Sequence, residues 1–351
     1  MKEKSASRRP NAGKALCGTV MLFFFSSFLL LALRDMAWQG FALAVGVPVM
    51  IWLCLHVFAR LFPSDPLLLS LTNFLCALGV LTLYDTNPAY AYSQALYYGV
   101  GLVAMAVCAY LVRAVRRWRL ISVLLILFSL ALLSLPLLIG REINGAQNWI
   151  YIGPVSFQPS EFSKLSLLIV ISYYMSRRRL LPWLLFAAGC LGILMLQKDL
   201  GTALLYYGVT LLLYFASSGN WLLMGFGLLG GAGAAVLGYR MFAHVKKRVA
   251  IWRNPWADYD NAGYQIVQGL MAIASGGLFG VGLGLGSPKT IPVYHTDFIF
   301  AVICEQFGWI IGLCVLAMYI AIIWRGATIA MAARRSFHGL LCMSATLMLG
   351  L

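Results

Sequence analysis

Apolar residues run along this chain in repeated blocks, each near the length needed to cross a bilayer. They fall at about 15–33, 37–62, 67–84, 93–112, 120–139, 160–176, 181–197, 200–217, 221–242 and 298–324, with a shorter run from 337. A hydrocarbon core about 30 Å thick is spanned by roughly 20 apolar helical residues. The pattern therefore predicts ten crossing helices and an incomplete one. The last run stops at Leu351 without a cap or a basic flank, so the chain is expected to be truncated. Composition points the same way: 62% of residues are hydrophobic, 11% are charged, and the mean hydropathy is +0.85. The expected fold is an all-α polytopic membrane protein with a long outer loop between the span ending near 242 and the one beginning near 298.

Charge then orients the spans. Lysine and arginine total 26 against 11 acids, a net charge of +15. Basic residues gather on the cytoplasmic side of membrane proteins. With a cytoplasmic amino terminus, the inner segments hold Lys2, Lys4, Arg8, Arg9 and Lys14, then Arg60, then Arg113, Arg116, Arg117 and Arg119, then Arg177 to Arg179, then Arg325, Arg334 and Arg335. The only acids on that side are Glu3 and Asp65. The basic excess thus reads as a topology signal and not as a nucleic-acid footprint. Residues 1–14 form a basic tail; the apolar run behind it is long enough to stay in the membrane, so no cleavable signal is expected. The eight cysteines are scattered through apolar runs without CxxC spacing, as packing residues would be.

The same assignment places two long connections outside, Gly140 to Pro159 and about Ala243 to Thr296. The second carries Lys246, Lys247, Arg248 and Arg253, an exception permitted to long loops. Candidate chemistry collects on this face. Asp297 stands in His295-Thr296-Asp297-Phe298, where polar loop gives way to an apolar run, and an ionisable group at that boundary is a functional hypothesis. The alternative is an N-cap for the following helix. Gln158-Pro159-Ser160-Glu161-Phe162-Ser163-Lys164 reads as a helix start with proline first, and Glu161 and Lys164 share a face. That pair is either a surface ion pair or a buried pair lining a cavity. Lys198-Asp199 is either the tip of a tight hairpin or added charge in the same vestibule. Residues 268–275 read as a short amphipathic helix, followed by glycines at 276, 277, 280, 282, 284 and 286. These glycines do not form GxGxxG; they suit a flexible segment packed on the bundle, or an amide nest for a diphosphate. Glu305 is expected to anchor a neighbouring helix, and His295 reads as a lone exposed ring.

Six stretches now combine: GAQNWI, FQPSEFSK, QKDLGT, KKRVAIWRNPWADYDNAGYQ, AIASGGLFGVGLG and HTDFIFAVICEQFGWIIG, in order from Gly145 to Gly312. With these the chain resembles the SEDS family of cell-wall polymerases, the RodA, FtsW and SpoVE type. The resemblance implies a bundle of about ten helices in the bacterial cytoplasmic membrane. It implies peptidoglycan glycosyltransfer from lipid II onto a growing glycan strand, usually beside a class B penicillin-binding protein. It also implies that Asp297 is the essential aspartate of the HTDF motif. Departures from the family pattern are five spans in 15–139 where three are usual, Asn148 in place of a common arginine, Lys198 in place of a common proline, and no closing motif in the 140–351 core.

The chemistry has its own logic. A sugar hydroxyl is a poor nucleophile near neutral pH and gains from a positioned base, here Asp297. A diphosphate leaves readily once its charge is balanced. One carboxylate and a cationic clamp therefore suffice. Arg248 leads the clamp candidates, with Lys246, Lys247, Arg253 and Lys164; Glu161, Gln158, His295 and Thr296 complete the expected substrate contacts. Mg²⁺ or Mn²⁺ would share the neutralisation, with no ligands assigned. Rival functions are a lipid II flippase and a non-catalytic scaffold of a cell-wall synthase. The catalytic reading requires an Asp297 carboxylate that a lipid-borne sugar can reach.

Overall fold

The computed structural model describes residues 10–143, 145–153 and 155–351. Five helical segments come first: α1 (Pro10–Asp35), α2 (Trp38–Trp52), α4 (Pro66–Thr86), α5 (Pro88–Ala114) and α6 (Trp118–Ile139). Helix α2 runs through a π stretch, Leu53–Phe58, into a final turn, α3 (Ala59–Leu61). Prolines at the first position of α4 and α5 cost nothing, because a first-turn amide has no intrahelical acceptor. Asp65 accepts from the Leu68 amide at 3.0 Å and caps α4.

The connection after α6 is not an irregular loop. It folds as an antiparallel meander of β1 (Arg141–Ile143), β2 (Ala146–Ile152) and β3 (Val155–Phe157), with Arg141 opposite Trp149 and Tyr151 opposite Ser156. Trp149, Ile150 and Tyr151 suit a pleated surface, and Gly145 and Gly153 take positive φ at the reversals. Four helices follow: α7 (Pro159–Ser176), α8 (Leu180–Leu196), α9 (Leu200–Ser218) and α10 (Trp221–Met241).

The long segment from 243 also departs from expectation. Its basic part is helix α11 (Ala243–Arg253), and the amphipathic helix is α12 (Tyr264–Gly276), longer than the 268–275 anticipated. No glycine or proline interrupts 243–253, so the strong helix formers prevail until Asn254-Pro255. Helices α13 (Ile299–Ala332) and α14 (Ser336–Gly350) complete the chain.

Eight helices among the described residues, rather than ten, are by themselves long and apolar enough to cross a membrane; α8 and α14 are shorter apolar helices. Helix α7, counted as a span from sequence, carries Glu161 and Lys164 and buries Ser160, Ser163, Ser166 and Ser172 within the protein. The apolar stretch of α5 has almost none of its residues buried by protein. A helix apolar all round and so little covered needs hydrocarbon around it. The chain is a multi-pass membrane protein.

Contacts divide it into two compact units. One holds residues up to Ala114 together with Pro255–Ile322, and the other holds Val115–Asn254 with Ile323–Leu351. The core of the first is built on Phe24, Phe28, Leu81, Tyr84, Val47 and Ile51. That of the second is built on Leu133, Leu167, Ile171, Phe186, Leu194 and Tyr206.

Within the first unit α13 is broken at Gly308, which adopts φ 82° and ψ 173°. The break frees carbonyls that the glycine-rich loop then satisfies. Val281 and Gly282 donate to the carbonyls of Glu305 and Gln306 at 2.9 and 3.1 Å, while Trp309 donates to Gly277 at 2.9 Å. The loop is pinned to α13 by its own backbone. The amides of Gly280, Val281 and Gly282 all donate to protein carbonyls, so they do not form the anion nest considered above.

Candidate active site

Asp297 sits in the turn just before α13, and it is exposed. Its carboxylate makes no hydrogen bond or ion pair among the described residues, so it does not cap the helix that begins at Ile299. The turn carrying it is nevertheless well fixed. Val293 adopts φ 56°, a costly left-handed conformation for a β-branched residue, and reverses the chain so that the Thr296 amide reaches the Val293 carbonyl at 3.2 Å. Beneath the turn, buried Ile291 packs with Ala272, Ala301 and Val302. Gln265 of α12 donates to the Pro292 carbonyl at 3.3 Å.

His295 is not the lone exposed ring expected. It is half-buried and stacks on Tyr90 of α5 with ring centres 4.3 Å apart and planes 16° apart. Tyr294 meets the edge of His295 at 5.4 Å, and burial pushes its phenol above the usual range, keeping it a neutral partner. An exposed, unpartnered carboxylate thus stands on a turn whose neighbours are locked by packing. Tyr90 was invisible to sequence reasoning, because nothing in its own surroundings marks it as a partner of residue 295.

In the second unit the motif residues close into one polar knot centred on Asp199. Its carboxylate accepts from Asn148 Nδ2 at 2.8 Å, Gln158 Nε2 at 3.2 Å, the Thr202 amide at 3.2 Å and the Thr202 hydroxyl at 3.0 Å. Asp199 is buried and caps α9. Its place before Leu200-Gly201-Thr202 was the legible cap signal; its other partners were not legible. Lys198 pairs outward with Glu142 at 3.3 Å. The Gln147 amide donates to the Gln197 carbonyl at 2.9 Å, fastening β2 to the same turn.

Pro159 opens α7 as expected, and Glu161 and Lys164 form an ion pair at 2.7 Å. Glu161 is 56% exposed, so this is a surface pair and not a buried one. Lys246, Lys247, Arg248 and Arg253 all lie exposed on α11, and none joins an ion pair among the described residues. Lys246 and Arg253, seven apart, share a face, whereas Lys247 and Arg248 fall about 100° and 200° around from Lys246. Asp297, His295 and Thr296 belong to the first unit; the remaining candidates belong to the second.

Glu305 anchors the glycine loop rather than another helix. It is buried and accepts from the Ser287 amide at 3.0 Å. Among the described residues no three His, Cys, Asp or Glu side chains converge to hold a metal ion. No protein-held metal centre is assigned.

The FtsW/RodA/SpoVE cell cycle protein family model matches residues 65–351, leaving α1 to α3 outside the match. The peptidoglycan glycosyltransferase RodA of Mycobacterium tuberculosis is 33% identical over 324 residues, covering 82% of this chain and 68% of that protein. The stage V sporulation protein E of Bacillus subtilis is 33% identical over 300 residues, covering 77% and 80%. A chain from a solved structure described as "Structural coordination of polymerization and crosslinking by a peptidoglycan synthase complex" aligns with a TM-score of 0.64 at 29% identity, covering 82% of this chain and 84% of its own.

Proposed function

This chain belongs to the FtsW/RodA/SpoVE family, and we propose that it is a peptidoglycan glycosyltransferase that polymerises lipid II at the outer face of the bacterial cytoplasmic membrane, with Asp297 as general base. The observation that carries the reading is the exposed Asp297 carboxylate, unpartnered among the described residues, on a turn held by its neighbours. A charged group that contributes no stabilising contact and is held in place by its neighbours fits a chemical role better than a structural one.

In the step proposed, the acceptor sugar hydroxyl loses its proton to Asp297 as its oxygen attacks the anomeric carbon of the donor. The carbon–oxygen bond to the diphosphate breaks and the diphosphate leaves with the electron pair. Inversion converts the α-linked donor into a β-1,4 link. Arg248, with Lys246, Lys247, Arg253 and Lys164, would balance the charge of the departing diphosphate. Mg²⁺ or Mn²⁺ carried in with the diphosphate would supply further neutralisation and need few protein ligands. Gln158, whose amide is held by Asp199, Thr296 and Glu161 are the proposed polar contacts to the saccharide; His295 helps by bracing the turn against Tyr90. A class B penicillin-binding protein is the proposed partner, a reading favoured by the likeness to a chain of a peptidoglycan synthase complex. The amino terminus is proposed to be cytoplasmic.

The test is the purified protein given lipid II in detergent, with and without the penicillin-binding partner. Glycan strands that disappear with Asp297→Asn support the base. Polymerisation undiminished by that change removes it, and lipid movement across vesicles without polymer favours a flippase.

A further inference from the structure

Helix α1 lies outside the family match, yet its last turn touches the loop that leads to the proposed base. Arg34 Nη1 reaches Asp85 Oδ1 at 3.0 Å, while its Nε is paired with Asp35 at 2.8 Å. Asp85, at the end of α4, has a side chain only 5% exposed. Its second oxygen accepts from Gln306 Nε2 of α13 at 2.7 Å. Gly284 is pressed onto this pair: it has φ 83°, and a Cβ there would overlap Arg34 Nη1 and lie 2.7 Å from Asp85 Oδ1. One carboxylate thus joins α1, α4, α13 and the glycine loop.

We propose that Arg34 is a positioning residue for the glycosyl transfer, clamping the loop 277–287 onto the break in α13 and thereby fixing the segment that carries Asp297. The inference rests on the assignment of Asp297 as base. Three features support it. The loop is tied on both sides of Gly284, by Val281 and Gly282 to α13 carbonyls and by the Ser287 amide to Glu305. Beyond Ser287 the chain reaches buried Ile291 and the Val293 reversal within a few residues, leaving little slack before Asp297. Finally, α1 is itself fixed to α4, with Phe28 packed edge-on against Tyr84 at 6.2 Å and Leu31 and Ala32 buried.

Charge makes Arg34 the critical member. Arg34 is 45% exposed whereas Asp85 is buried, so removing the guanidinium takes the counter-charge from a buried carboxylate. Without the guanidinium, Asp85 would keep only an amide donor from Gln306, and the carboxylate would turn toward water. That change withdraws the surface on which Gly284 rests.

The test compares the full-length protein with its Arg34→Gln and Arg34→Lys variants in detergent. Hydrogen exchange in peptides covering 277–287 is measured beside lipid II kinetics. Arg34→Gln is expected to speed exchange at Val281, Gly282 and Ser287 at least about 10-fold and to lower kcat by a similar factor, with KM within about twofold. Arg34→Lys, which keeps the charge, should fall between. If Arg34→Gln does not fold, Gly284→Ala leaves both charges in place and should release the same amides. Unchanged protection of the loop in the folded variants overturns the proposal whether or not the wild type polymerises. Loop release without loss of kcat also overturns it, since the clamp would then hold nothing that matters to the reaction.

Discussion

Asp199 accepts a hydrogen bond from Gln158 at 3.2 Å, and this single contact joins the turn between α8 and α9 to the residue just before α7. Two motifs 41 positions apart therefore act as one polar centre.

Asp199→Ala is expected to destabilise the protein by at least about 2 kcal/mol, because the donors of Asn148, Gln158 and Thr202 would lose their buried acceptor together. Asp199→Asn, which keeps one acceptor oxygen, should cost less. Thermal unfolding in detergent checks the order, and equal melting temperatures for the two variants would contradict it.

Asp297 should behave in the opposite way. Its carboxylate is exposed and unpartnered, so Asp297→Asn and Asp297→Ala should leave the melting temperature within about a degree of wild type. Polymerisation by either should fall at least about 100-fold, the usual worth of a positioned base.

Gly308 should tolerate no side chain. It combines φ 82° with a Cβ position that overlaps the Leu278 carbonyl and the Gly280 amide nitrogen. Gly308→Ala should cost more than about 2 kcal/mol, or abolish folding, and detach the glycine loop. Gly233 of α10 has open space around its Cβ position, and Gly233→Ala should be neutral or slightly stabilising. Paired melting curves decide.

The exposed cations of α11 should act on binding. Arg248→Gln is expected to raise KM for lipid II about 10-fold with little change in kcat, as loss of one charge-assisted contact would. Added salt should raise KM for the wild type more than for a variant neutralised at Lys246, Lys247, Arg248 and Arg253. Parallel salt dependence in the two proteins would remove the clamp from α11.

The Glu161–Lys164 ion pair should contribute little to stability. A double-mutant cycle with Glu161→Gln and Lys164→Gln is expected to give a coupling below about 0.5 kcal/mol, because Glu161 is 56% exposed. A larger coupling would mean that the pair is shielded in the membrane.

What could be read from the chain alone differs from place to place for physical reasons. The Glu161–Lys164 pair was legible because helical spacing fixes contacts three residues apart. Its exposure was not, because that depends on which elements pack against this end of α7. Helix α11 was missed because its two lysines and two arginines were read as loop charge, when the unbroken run of helix formers was the better guide. Glu305 was recognised as an anchor, but its partner is a glycine-loop amide that no periodicity could point to.

The sequence by itself determined that this protein lives in a membrane as helices, because in hydrocarbon every backbone amide must find its partner within its own segment. Long apolar runs are then sufficient evidence. It also determined that a carboxylate stands where the polar segment gives way to the apolar run of α13. Only the tertiary structure decided that the Asp297 carboxylate has no partner among the described residues, that His295 leans on Tyr90, that α13 breaks at Gly308, and that Asp85 gathers Arg34 and Gln306. Each of these depends on atoms brought together across long stretches of chain, and their energies are set by burial and geometry that composition and spacing do not carry.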